Sequence, residues 1–179
     1  DYTNLFRSYG GLILIDQPFE LGQEFLDIKR SNVDETLAFI LADIEAAIAG
    51  LPETGDIEQG RATKGAAAAL KSRLLSFAAG ELMNGGYMGS DPLVSFQSGT
   101  REDRLQAAKT AAKAVMDGNF GDYSLVGGTD DPPANMTQED VDAYAANFYN
   151  LFTQKGEWNE EVIWGVQYLN SQGNIASQN

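Results

Sequence analysis

The sequence contains no cysteine and no histidine. Without cysteine there is no disulfide and no thiolate, either as nucleophile or as metal ligand. Without histidine, Ser-His-Asp and Cys-His hydrolysis are excluded, together with every zinc site that needs imidazole. Bases are scarce and run out along the chain. Residues 1–113 carry 16 acids and 11 bases (net −5), and residues 114–179 carry 10 acids against Lys155 alone (net −9), which gives −14 in all. Such a surface repels phosphate backbones and argues against a nucleic-acid partner. Long apolar runs are missing as well, so no segment reads as a membrane-spanning helix. The glycine-containing stretches "GNFGDY" and "GGYMGS" lack the strand, lysine and helix context of a phosphate loop. Composition alone leaves open carboxylate-pair chemistry and metal sites built from oxygen ligands.

What is present reads as one globular unit. The 179 residues are 43% hydrophobic and 21% charged, enough for an ordinary domain with a real core. "DYTNLFRSYGG" has no signal-peptide pattern and no initiating Met, and "NSQGNIASQN" fades into polar loop; both are expected of a piece of something longer. Residues 2–9 read as a helix end closed by Gly10 and Gly11. "LILID" (12–16) is a short β-prone run. Four helices follow, near 31–49, 63–83, 101–117 and 137–152, with long loops at 84–100 and 121–136.

The first of these is amphipathic, with Val33, Leu37, Ile40, Leu41, Ile44, Ala47, Ile48 and Leu51 at steps of three and four. Ser31 is its expected cap, with Asp34 reaching back. The second, capped by Thr63, is rich in alanine and has apolar residues around nearly the whole wheel. That pattern predicts burial on all sides. Leu105, Ala108, Ala111, Ala112, Val115 and Met116 line the third. Thr137 and Asp140 cap the fourth, whose stripe is Val141, Tyr144, Ala145, Phe148, Leu151 and Phe152. "EEVIWGVQYL" (160–169) is β-prone, and Trp164 within it is expected in the core. The even spacing of helix starts suggests antiparallel pairs stacked as a solenoid.

The alanine-rich helix also carries a family likeness. "GRATKGAAAALKSRLLSFAA" resembles the helix signature of the SusD/RagB family of surface lipoproteins, with Arg61, Thr63, Lys64, Ala66, Ala67, Ala69, Leu70, Ser72, Arg73 and Leu74 on the pattern. "YGGLILID" is similar to that family's Gly-Gly-Val-Pro-Leu segment, with Ile13 where proline is usual. "RSNVDETLAFILADIEAAIAGLPE", "AAKAVMDGNFGDYSLV" and "YNLFTQKGEWNEEVIWGVQY" resemble further blocks, in the family's order. The resemblance implies a mainly α fold of tetratricopeptide-like helix pairs in a superhelical arrangement, with long loops and a few short strands. It implies that residues 1–179 are one domain or a fragment of one SusD-like domain, without the N-terminal lipoprotein region and the C-terminal half. It further implies a surface-exposed outer-membrane lipoprotein of Bacteroidetes-type bacteria, held to the membrane only by an N-terminal lipid. Such a protein binds a glycan or a peptide and hands it to a SusC-like TonB-dependent transporter, with no cofactor and no catalysis of its own.

Sugar recognition needs exposed aromatic faces and planar polar groups, set on loops. The candidates are Tyr87, Asp91 and Phe96 in the 84–100 loop, and Trp158 in the polar stretch "KGEWNEE". The structural alternative for Tyr87 and Phe96 is packing back onto the helix ends. For Trp158 it is sealing the helix-to-strand junction. The acids Asp130, Asp131, Glu139, Asp140 and Asp142 lack EF-hand spacing and read as a solvated loop and a helix N-terminus, so no metal site is expected. A generic helical-repeat adaptor and a glycan hydrolase using Glu160 with Asp91 are the competing readings.

Overall fold

The computed structural model describes residues 1–22, 24, 27–55, 57–85, 89–126, 135–153, 158–165, 167–169 and 175–177. Among the described residues five helices dominate: α1 (Tyr2–Tyr9), α2 (Val33–Gly50), α3 (Lys64–Ala78), α4 (Arg101–Met116) and α5 (Gln138–Thr153). A 3-10 turn at Glu81–Met83 follows α3. Strands β1 (Gln167–Leu169) and β2 (Ile175–Ser177) pair antiparallel, Tyr168 opposite Ala176.

Local chemistry sets the helix ends. The α2 capping box is Asn32 with Glu35, one residue later than the expected Ser31 with Asp34: Glu35 N–H donates to Asn32 Oδ1 at 2.8 Å and Asn32 N–H to Glu35 Oε2 at 3.2 Å. Asp34 is thereby released for another task. Thr63 caps α3, accepting from Ala66 N–H at 3.1 Å, as expected. The α3 helix stops short of the expected residue 83. Asn84 Nδ2 donates to the carbonyls of Ala78 and Gly80, both at 2.6 Å, and takes up two of the open acceptors at that end. Thr100 with Asp103 and Thr137 with Asp140 cap α4 and α5.

The helices form antiparallel neighbours. Lys64 N–H bonds Pro52 O at 2.9 Å, joining the end of α2 to the start of α3. At the opposite end Arg101 Nε donates to Ala79 O at 3.1 Å, so α4 turns back along α3. The α3 helix packs between α2 and α4, and α1 packs on α2. The core comprises Phe6, Leu12, Val33, Leu37, Ile40, Ile44, Leu74, Ala78 and Met83.

Burial of α3 is less complete than its composition suggests. Gly65, Ala68, Leu74, Leu75 and Ala78 are buried, but Ala66, Ala67 and Ala69 are only half-buried and Leu70 is 39% exposed. Two neighbouring helices cover two flanks and leave a third open. On α5 the expected stripe faces outward: among the described residues Val141, Phe148 and Phe152 are exposed, and no residue of the helix is buried. "LILID" forms no strand. Thr36 instead anchors it, its buried Oγ1 accepting Leu12 N–H at 3.0 Å.

Candidate functional site

The two ends of α3 hold the candidate residues apart. With 15 residues at a rise of about 1.5 Å, α3 separates its ends by roughly 20 Å. The 84–100 loop lies at the C-terminal end, where Phe96 N–H bonds Met83 O at 3.0 Å. Tyr87 lies outside the described residues. Asp91 is exposed and holds its own turn, Oδ1 accepting Leu93 N–H at 2.8 Å and its carbonyl accepting the N–H groups of Val94 and Ser95. Phe96 is half-buried against the core, and the Arg104 guanidinium sits 4.1 Å from its ring centroid. Arg104 is fixed in turn by Asn84 Oδ1 at 2.6 Å and Ser98 O at 2.8 Å. Cation–π contact and core packing therefore occupy this ring.

Trp158 lies at the other end, with the connector that precedes α3. It lines a cleft of about 390 Å³ together with Thr54, Ile57, Gln59, Arg61, Thr63, Asn159, Val162 and Ile163. That volume falls at the low end of the roughly 300–1,000 Å³ range typical of small-molecule sites. The indole is half-buried because its outer edge lies against Gly165, where an added Cβ would come within 3.3 Å of Cη2. The cleft mixes one indole and three aliphatic side chains with two planar amides and two hydroxyls. Arg61 and Glu58 pair with each other at 3.6 Å on the rim, so neither sign of charge dominates. The arrangement offers an apolar face and several donors and acceptors, and among its described lining residues Glu58 is the one carboxylate.

Several ties position the cleft. Tyr123 lies over α3: a Cβ on Gly65 would fall 2.0 Å from its hydroxyl, so only glycine leaves room. The same hydroxyl shares a 2.7 Å hydrogen bond with Thr54 Oγ1. Next along the chain, Ser124 N–H bonds Glu160 O at 3.1 Å, and Val126 N–H bonds Glu161 Oε1 at 2.8 Å. Asn159 Oδ1 accepts Glu161 N–H at 3.0 Å, which leaves the Nδ2 end of its amide for the cleft. Thr54, Gln59 and Asn159 escaped sequence reasoning. The turn-rich connector carries no periodicity, and it meets residues 158–163 only across about 100 positions of chain.

Trp164 is a correction. Expected in the core, it is 54% exposed, with Nε1 donating to Gly60 O at 3.3 Å. It lines a second depression of about 500 Å³, floored by Ala66, Ala67, Leu70 and Ala47. Among the described residues no group of three acidic side chains is arranged to hold a metal, and Asp140 serves as the α5 cap. Glu160 and Asp91 stand at opposite ends of α3.

No family model matches the chain, and no curated protein matches it. A solved structure does. A SusD-like protein from Bacteroides fragilis superposes with a TM-score of 0.60 at 28% identity, covering 95% of this chain. The chain has a SusD-like fold. It spans a quarter of the length of that protein, 25%. No described helix is long and apolar enough to cross a membrane.

Proposed function

We propose that the complete protein is a cell-surface glycan-binding lipoprotein, which captures an oligo- or polysaccharide and delivers it unchanged to a TonB-dependent outer-membrane transporter. The observation that carries this reading is the Trp158 cleft on a SusD-like scaffold: an indole, two amides and two hydroxyls with no dominant charge. A pyranose presents one apolar C–H face and a rim of hydroxyls, which matches such a lining. The protein works without a cofactor. Within these 179 residues the absence of histidine and cysteine removes the commonest hydrolytic nucleophile–base pairs, which supports a binding role for this segment.

Isothermal titration of the complete protein against a polysaccharide panel, with peptides as controls, tests the proposal. Expected is modest affinity for at least one glycan with little salt dependence, because a neutral sugar is neither steered nor repelled by the protein's charge. Binding to peptides and to no glycan would replace the reading with peptide capture. Release of shorter sugars during the titration would overturn the non-enzymatic role.

A further inference from the structure

The cleft at Trp158 and the depression at Trp164 are neighbours. Thr63 and Ile163 line both, so Ile163 belongs to their shared wall, with Trp158 lining one side and Trp164 the other. The two indoles sit in different chemistry. Trp158 is half-buried among the amides of Gln59 and Asn159. Trp164 faces a floor of alanines and Leu70, with Thr63 and Arg73 as the polar side chains of the lining. Its N–H is already engaged by Gly60 O at 3.3 Å, which fixes the ring's orientation while more than half of the residue stays exposed. An aromatic whose polar edge is satisfied and whose surface is open has only its apolar area left to offer.

From this juxtaposition we infer that the site takes a glycan chain of at least two consecutive rings, read unequally. One ring occupies the cleft, where Gln59 and Asn159 recognise its hydroxyls. The next passes Ile163 and stacks on Trp164 above the small-residue floor, recognised mainly through its apolar face. The inference rests on the glycan reading above. It assigns specificity to the first subsite and chain-length dependence to the second, because two linked contacts on one chain raise effective concentration.

The test uses the complete protein and linear oligosaccharide ladders of one to six rings, from α-glucans, β-glucans, β-mannans and β-xylans, titrated by calorimetry. For the ladder that binds, wild type is expected to gain roughly tenfold or more from one ring to two or three. Trp164→Ala should remove that gain, so that the variant's affinity no longer rises with the number of rings. Gln59→Ala should weaken every member of the ladder by a similar factor. Both side chains are exposed, so both variants are expected to keep the wild-type circular dichroism spectrum. Equal affinity for one ring and six, or a Trp164→Ala variant that keeps the full length dependence, would overturn the two-subsite inference and leave glycan capture standing. Binding to none of the ladders or their parent polymers would overturn the glycan reading and this inference with it.

Discussion

The two ends of α3 are built differently. At the C-terminal end, backbone and side chains are knotted. Gly11 N–H bonds Leu93 O at 2.7 Å, Val33 N–H bonds Pro92 O at 2.9 Å, and Arg30 reaches back to the carbonyls of Gly11 and Tyr9. Asp34 holds the 84–100 loop by accepting Gln97 N–H and the Ser98 hydroxyl, and Arg104 clamps Phe96. At the N-terminal end, Tyr123 makes the main crossing, and beside it a cleft and an alanine-floored depression stay open. The contrast teaches a division of labour. One end spends Phe96, Asp34 and Asp91 on holding the chain together, and the other leaves Trp164 exposed and Trp158 half-buried beside a cleft.

The largest expected effect comes from breaking the knotted end. Gly10 has φ 75° and ψ −124°, a region essentially limited to glycine, and an added Cβ would lie 2.2 Å from the Leu93 carbonyl oxygen. Backbone has to move, so Gly10→Ala should cost about 3–5 kcal/mol in urea unfolding. A loss below about 1 kcal/mol would mean that the corner yields easily.

A pair of substitutions sharpens the comparison within α3 itself. Ala68 is 2% exposed, and Ala68→Leu should strain the packing by about 1–3 kcal/mol. Ala67 is half-buried on the open depression, so Ala67→Leu should stay within about 0.5 kcal/mol of wild type. Equal losses in the two variants would show that the third flank is closed in solution.

The smallest effect is electrostatic. Burial raises the Asp34 carboxyl, but the Gln97 N–H and the Ser98 hydroxyl and N–H outweigh it, with help from Arg104, and hold it below its ordinary value of 3.8. A lowered folded value means stability that is present above pH 3.8 and lost as pH falls through the folded value. Asp103 and Asp140 are lowered too, each by its threonine cap partner, so they contribute to the same acid limb. Asp34→Asn should flatten that limb in part, as followed by unfolding midpoints between about pH 5 and 2. An unchanged limb would place the acid sensitivity in the caps.

Much of the fold was legible because helices announce themselves locally. Thr63 and Thr137 sit where a short polar side chain can reach an open N–H, and the apolar steps along α2 mark its core face. The cap of α2 was displaced by one residue because Ser31, Asn32, Asp34 and Glu35 offer two overlapping boxes, and only the 97–98 contact decides which acid is free. Trp164 and the open flank of α3 were misjudged for a related reason. Composition reports how apolar a segment is, whereas exposure depends on what the rest of the chain lays over it. Of the candidate site, Trp158 was visible as an aromatic in polar surroundings. Gln59 and Thr54 were not, since nothing local links a connector to a segment about 100 residues away.

The central claim is that ligand binds at the open end of α3 and not at the knotted one. Hydrogen exchange of the complete protein, with and without the polysaccharide it binds in the panel, tests this most directly. The expected result is slowed exchange at residues 54–66 and 158–165, with no change across 84–100. Slowing confined to 84–100, with 54–66 and 158–165 unaffected, would contradict the account.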